Sequence, residues 1–330
     1  MLLKHLGALA CAAATLTAGD NYRISGPFTH DNLTVYLLHT PKPQPAGKTY
    51  LPLTEAIASK KVIVHETANV NQLAIENVSG QDVFIQSGDI VKGGQQDRVL
   101  KDDLILQSHS GRVPIDAFCV EHGRWSKRGA EEAKQFTSSK DALPAKALKL
   151  AVRQKADQNQ VWAEVANSQA KLGRAVGMGS SVAAPASPTS MQLTIENKAV
   201  RDSAEAYVKA VTAAAAIKGD TVGFAYAING KINSADVYGS PALFVSLWPK
   251  LLKAAAVEAV SERDSKASAP LPPAPAAVNT WMVESESGPA KPRDVGARAQ
   301  VLTKDSKAAL AQETKDKSNA ATVHKSYVAK

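Results

Sequence analysis

Two rhythms of apolar and polar positions divide the chain. Between residues 33 and 125, short runs rich in apolar and β-branched residues recur at 33–38, 61–65, 72–77, 83–86, 99–100, 104–106 and 113–120. Ser79-Gly80, Ser87-Gly88, Gly93-Gly94 and Ser110-Gly111 punctuate them. Many short strands at such spacing predict an antiparallel β-sandwich or a barrel-like part. A short helix is expected at 53–59, between the first two strands.

From residue 145 the rhythm becomes helical. Asp157 and Gln160 form a capping-box spacing, and Trp162, Val165 and Leu172 follow on one apolar face. The Gly/Ala/Ser/Pro stretch 173–189 reads as a loop. Its Gly177-Met-Gly179 lacks the third glycine and the flanking strand of a phosphate loop. A second helix is expected at 199–217, closed by Gly219. Residues 221–228 then alternate Val222, Phe224, Tyr226 and Ile228 against Gly223, Ala225 and Ala227. Asn229-Gly230 supplies a type I′ hairpin turn, and 231–238 is the return strand. Ser240-Pro241 reads as the cap and first residue of a helix that Pro249 should kink or split.

Residues 265–277 form a Pro/Ala linker unable to build a core. Beyond it, 280–283, 299–302 and 323–328 are expected as strands that return to the main body. The reason is energetic: Trp281, Met282 and Tyr327 each gain roughly 1.5–3 kcal/mol on burial. A loop or short helix is expected at 305–321. The predicted class is α+β: a sandwich or barrel-like N-terminal part, then a helix-rich α+β part with a β-hairpin, then returning strands. The expected divisions are 1–19, 20–140, 141–262, 263–278 and 279–330.

Composition narrows the function classes. Aromatics make up 5% of the 330 residues, too few for a base-stacking platform. The net charge of +8 is dispersed, and Asp294, Asp305, Glu313 and Asp316 interrupt the basic stretch 291–330. That pattern predicts a solvated surface and no nucleic-acid partner. Lys4, an apolar run at 6–16 and the small residues before Asp20 give the layout of a signal peptide cleaved near Gly19. The run is too short for a transmembrane span, which needs about 20 apolar residues. Export to the periplasm or the medium is the expectation. Lipid attachment at Cys11 is the lesser alternative. A mature chain would keep only Cys119, so no intrachain disulfide is expected. Cys119 sits in a strand-like run and reads as a packing residue. His122, three positions on, falls on the opposite face.

Several stretches carry a resemblance. They are Gly-Asp-Ile-Val-Lys-Gly-Gly-Gln-Gln-Asp-Arg at 88–98, Phe-Cys-Val-Glu-His-Gly-Arg-Trp at 118–125, and Asn-Gly-Lys-Ile-Asn-Ser-Ala-Asp-Val-Tyr at 229–238. Ser-Pro-Ala-Leu-Phe at 240–244 and Val-His-Lys-Ser-Tyr at 323–327 belong with them. Together they resemble the ARG and Rhodanese-Phosphatase-superfamily-associated protein domain family, across one domain at about 22–328. The family's name records association with ADP-ribosylglycohydrolases and rhodanese-phosphatases. The resemblance therefore implies a contextual link to ADP-ribose or nucleotide chemistry.

The densest polar constellation is Asp89, Lys92, Gly93, Gly94, Gln95, Gln96, Asp97 and Arg98. Paired glycines let a backbone approach a ligand and aim its N–H groups at an anion. Lys92 and Arg98 can hold that anion, and Asp97 can act as base or hydroxyl acceptor. A tight hairpin with solvated charges is the alternative. Glu121, His122 and Arg124 follow the Cys119 strand as a second acid–imidazole–cation group. Asp236 is an acid in an otherwise small-residue strand. The seven His show no metal-ligand spacing, and neither a G-x-S-x-G elbow nor a coenzyme loop occurs, so no metal and no cofactor are expected. Three readings follow. The first is a binding module for an anionic, nucleotide-like or ADP-ribose-like small molecule, with Asp89, Lys92 to Gln96, Arg98, Arg124 and Asp236 as ligand contacts. The second is a hydrolase with Asp97 or Glu121 as general base. The third is an envelope protein that holds a partner through its basic C-terminal stretch.

Overall fold

The structure is a computed structural model that describes residues 22–40, 49–177, 182–264 and 271–330. The expected signal segment with Cys11, Met178 and Gly179 of the glycine-rich loop, and residues 265–270 of the Pro/Ala linker lie outside the described residues.

The large sheet holds eight strands. In chain order these are β1 (Arg23–His30), β2 (Leu33–His39), β12 (Thr221–Ile228), β13 (Lys231–Tyr238), β14 (Ala290–Val295), β15 (Ala299–Asp305), β16 (Ala309–Asp316) and β17 (Ala321–Ala329). Their spatial order is β1-β2-β12-β13-β17-β16-β15-β14, antiparallel throughout. The last strand of the chain therefore lies inside the sheet. A six-stranded sheet is built from β4 (Val62–Asn69), β5 (Gln72–Asn77), β7 (Asp89–Gly93), β8 (Arg98–Leu100), β10 (Gly111–Cys119) and β11 (Phe136–Ala142). A three-stranded sheet joins β3 (Leu51–Pro52), β6 (Val83–Ile85) and β9 (Leu104–Leu106). These two smaller sheets share one apolar core, in which Val64, Leu73, Ile75, Val83, Ile85 and Leu106 are buried. The class is α+β, with C-terminal strands returning to the body as expected.

The helices cover one face of the large sheet. They are α2 (Lys146–Leu150), α3 (Gln158–Ala175), α4 (Met191–Glu196), α5 (Lys198–Ala214) and α6 (Pro241–Ser261). α1 (Leu53–Ala58) packs instead in the β-rich part. The caps follow from sequence: Asp157 accepts from the Gln160 N–H, and Ser240 accepts from the Leu243 N–H. Asn229 and Gly230 take φ of 51° and 72°, the left-handed pair that a type I′ turn requires. Leu33, Val35, Phe224, Tyr226, Phe244 and Leu252 pack together between sheet and helices. The other sheet face buries Tyr36, Leu38, Ala225 and Ala235 under α7 (Pro275–Ser285).

Four local expectations are corrected. Residues 280–283 are helical, because Pro275 at the first position of α7 opens a helix ahead of them. The burial expected there still occurs: Val278 and Met282 enter the core and Trp281 packs on Tyr327. Residues 309–316 form strand β16, not a loop or helix, since β15 and β17 both offer it a pairing edge. Pro249 does not split its helix; α6 runs unbroken for 21 residues, held by Leu247, Trp248, Leu251 and Leu252 in the core. Finally, a register shift against β2 between Thr221 and Gly223 turns Val222 onto the face of Ala225 and Ala227, away from Phe224.

The basic C-terminal stretch is sheet, and many of its cations face acids. Arg293 meets Asp102, Arg298 meets Asp316, Lys304 and Lys325 meet Glu286, and Lys317 meets Asp294. Among the described residues, no helix is long and apolar enough to cross a membrane.

Candidate functional site

The Gly88–Arg98 stretch folds as β7, a tight turn and β8. Gly93 and Gly94 take φ of 114° and 56°, and a Cβ on Gly94 would lie 2.4 Å from the Phe136 ring. The turn thus uses its glycines for close packing. Asp97 is fully buried and accepts from the Gly93 N–H (2.9 Å), both Nη atoms of Arg128 (3.0 and 3.1 Å) and the Ser190 hydroxyl (2.8 Å). Glu121, equally buried, accepts from the Asp97 N–H at 2.9 Å and from Arg124 Nε and Nη2 at 2.6 and 2.7 Å. Burial would raise the Glu121 pKa. Hydrogen bonds from Arg124, Ser187 and the Asp97 backbone outweigh it and hold the carboxyl below the usual range. Two carboxylates and two guanidinium groups therefore neutralise one another inside the protein.

The remaining residues of that stretch are also engaged. Gln96 donates to the Glu121 carbonyl and accepts from the Cys119 thiol. Burial pushes that thiol up to about 11, so Cys119 is a packing residue. Arg98 donates to the Gln96 carbonyl, lies 3.6 Å from Glu66 and sits under the Trp125 ring at 5.6 Å. The Gln95 N–H donates to Glu66, and Lys92 pairs with Glu196 at 2.7 Å. Asp89 pairs with Lys250 of α6.

Asp236 lines a cleft between the large sheet and the segment after β11. The β13–β17 register sets Asp236 opposite Ser326 and Tyr238 opposite His324. Alternation then brings Ser234, Asp236, His324 and Ser326 to one face. A bulge where Tyr226 pairs with Ser234 and Ala227 with Ile232 leaves Asn233 unpaired, and its amide donates to Glu258 of α6 at 2.9 Å. The opposite wall is the segment after β11. Ala145 (φ 67°, ψ 120°) leads into α2, a π-helical turn follows at Ala151–Lys155, and Ala156 is left-handed. A π turn and a strained residue on one short segment are features that cluster at functional sites. They present Lys149 and Arg153, four residues apart, to the cleft. Gly88 and Ser87 line it from the β-rich part. The enclosed space of the cleft is about 20 Å³, enough for about one water, so a larger ligand would sit at the mouth or displace lining side chains.

Its polar groups form three strings of hydrogen bonds. The Lys149 ammonium donates to the Tyr226 hydroxyl (2.9 Å), which donates to Glu258 (2.8 Å). Arg153 donates to the Ser326 hydroxyl and the Ser87 carbonyl, both at 2.9 Å. His324 bridges Asp103 (2.7 Å) and Asp236 (3.1 Å), and Tyr238 stacks on its ring. Burial would lower the His324 pKa. The two carboxylates outweigh burial and raise it to about 9, so the ring is an imidazolium at neutral pH. Asp103 and Asp236 are correspondingly lowered, since His324 overcomes the burial that would raise them. Among the described residues, no group of three or more His, Cys, Asp or Glu is arranged to hold a metal ion.

The structure thus gathers Asp97, Arg98, Glu121 and Arg124 into one buried network and places Asp236 elsewhere, in the cleft. Sequence reasoning missed Lys149, Arg153, Tyr226, Glu258, Asp103 and His324. Two signals pointed toward them: the Val-His-Lys-Ser-Tyr stretch at 323–327, and the i, i+4 cations in the apolar run 147–153. Residues 21–328 match the family model for the ARG and Rhodanese-Phosphatase-superfamily-associated Protein domain, ARPP-1. No curated protein and no solved structure matches the chain.

Proposed function

Since the chain belongs to the ARPP-1 family, an uncharacterised family associated by name with a phosphatase superfamily, we propose that it binds a small organic anion in the Lys149–Arg153–Asp236 cleft. The observation that carries this reading is the convergence of Lys149 and Arg153 on one opening, beside the hydroxyls of Ser234 and Ser326. A guanidinium holds a carboxylate or phosphate by paired N–H groups, and Arg153 has used only two of its five. Asp236, kept ionised by His324, suits a ligand hydroxyl, so a phosphorylated or carboxylated polyol such as a ribose phosphate fits the donor and acceptor set. The Gly88–Arg98 stretch contributes through its first residue, while its far end supports the β-rich part from within. The test is thermal shift of the purified protein against inorganic phosphate, sugar phosphates, nucleotides and ADP-ribose. Stabilisation of wild type that is lost in Arg153→Ala supports the cleft. Equal response of both proteins, or none, overturns it.

Hydrolysis is the second reading. Asp97 or Glu121 could serve as base only if Arg124 and Arg128 withdrew from them. Asp236 faces the cleft directly, but a carboxyl held below its usual range is a weak base. The arrangement therefore favours binding. Consumption of a bound ligand by wild type and not by Asp236→Asn would reverse that preference. We also propose that the protein works after export. A mature terminus near Asp20, read by mass spectrometry, is the expected result; an intact Met1 in a cytosolic fraction would exclude it.

A further inference from the structure

Lys250 and Lys149 both reach the interior, and they are treated differently. Lys250 is buried in an ion pair with Asp89. Lys149 makes no ion pair among the described residues. Its amine is held by the neutral hydroxyl of Tyr226, 5.4 Å from that ring's centroid. The apolar side chains of Phe224, Leu251 and Val328 line the same cleft. A lysine placed against an apolar wall and a phenol, with carboxylates near but none in direct contact, is an arrangement that can turn an ammonium into a nucleophile.

We propose that Lys149 forms an imine with a small aldehyde or ketone that carries an anionic group, the anion being held by Arg153. The inference rests on the cleft being the binding site and names its substrate class. Arg153 follows Lys149 by four residues, across the junction of α2 and the π turn, and both side chains line the cleft. The amine's surroundings are Tyr226 on β12, Asp236 on β13, Glu258 on α6 and Arg153 on its own segment. Burial lowers the amine's pKa, outweighing the opposite pull of Glu258 and Asp236, and Arg153 lowers it further. Neutral amine is therefore more abundant here than on a surface lysine.

The chemistry balances without an oxidant or reductant. The nitrogen lone pair attacks the carbonyl carbon, and the C–O π pair moves to oxygen, which takes up a proton. A proton then leaves nitrogen, the carbinol oxygen takes up a second proton and departs as water while the nitrogen lone pair forms the C=N bond, and the iminium gives up its last N–H proton to leave the imine. Tyr226 touches the amine and is itself bonded to Glu258, so a proton has a path away from the reacting nitrogen. Aldehyde plus amine give imine plus water, and the imine awaits whatever step the ligand's own structure permits.

Borohydride trapping on the full-length protein tests this. Glyoxylate serves as the anionic aldehyde and acetaldehyde as the neutral one, with labelled peptides located by mass spectrometry. At neutral pH the reduced glyoxylate adduct should appear at Lys149 faster than at exposed Lys198, since burial lowers the Lys149 pKa and leaves more of its amine neutral, and Arg153 holds the carboxylate beside it. Arg153→Ala should slow the glyoxylate reaction at Lys149 more than the acetaldehyde reaction, which loses only the effect of Arg153 on the amine; equal slowing of the two would overturn the anion-holding role of Arg153. Glycolate, which has the anion but no carbonyl, separates the two claims by thermal shift. If glycolate stabilises wild type and not Arg153→Ala, yet Lys149 is trapped no faster than Lys198, the imine fails and the cleft reading stands. If neither effect appears, both fail. Lys149→Met, checked for a native melting transition, must lose the fast adduct; persistence of that adduct would place the reactive amine elsewhere and overturn the proposal.

Discussion

His324 carries a full charge in the interior, 1% exposed, because carboxylates flank both of its ring nitrogens. Its folded pKa of about 9 lies above the unfolded value of 6.5. A raised pKa stabilises the fold fully below the unfolded value and loses that contribution as pH climbs through the folded one. The lowered pKa values of Asp103 and Asp236 work the other way, stabilising above their ordinary value of 3.8 and failing as acid protonates them. Stability from this triad should therefore be greatest between about pH 4 and 6.5. Melting temperature should fall between about pH 6.5 and 9, with at most about 3 kcal/mol lost from this residue. His324→Gln should flatten that slope and cost about 3–5 kcal/mol near pH 6, the range for removing one member of a buried ion pair. A variant with the wild-type pH slope would show that other groups set it.

At the scale of the element, the turn between β7 and β8 shows how little room sequence motifs leave. Gly94→Ala would drive a Cβ into the Phe136 ring at a φ of 56°. The expected cost is roughly 1–3 kcal/mol from overpacking, read as a lower denaturant midpoint at unchanged m-value. A neutral substitution would mean that β11, which carries Phe136, yields easily. The same scale decides what was legible. The β12–β13 hairpin was readable because Asn229-Gly230 is a local backbone requirement, and the caps at Asp157 and Ser240 are equally local. α7 was misread because Thr280-Trp-Met-Val has strand-like composition, while the deciding facts are Pro275 and the surface that the helix meets. The buried network was half visible: Asp97, Arg98, Glu121 and Arg124 were named, but Arg128 sits in an irregular stretch without periodicity. The cleft was least visible, since sheet register brings Asp236 to His324 and Lys149 reaches Tyr226 from a helix distant in sequence, and no local pattern encodes either.

For the whole molecule, the consequential fact is that its parts are not separable along the chain. β1 and β2 lie in the large sheet beside β12, while the β-rich part supplies Asp103 to His324 and Ser87 to Arg153. Truncation after Glu262 would remove four of the eight strands, leave β13 as an open edge and strand Asp103 and Asp236 without their cation. Loss of solubility and of the cooperative melting transition is expected, more than a modest lowering of melting temperature. A soluble truncated protein with native near-ultraviolet circular dichroism would show that the sheet closes without its C-terminal half.

The interior position of β17 also couples distant stretches of the chain during folding. Ser326 and His324 sit on the strand inserted between β13 and β16. Until that strand pairs with β13, Arg153 lacks its contact to Ser326, and Asp236 and Asp103 lack theirs to His324. Closing the large sheet and completing the cleft wall therefore become a single event, so a partly folded chain carries no half-built version of the cleft.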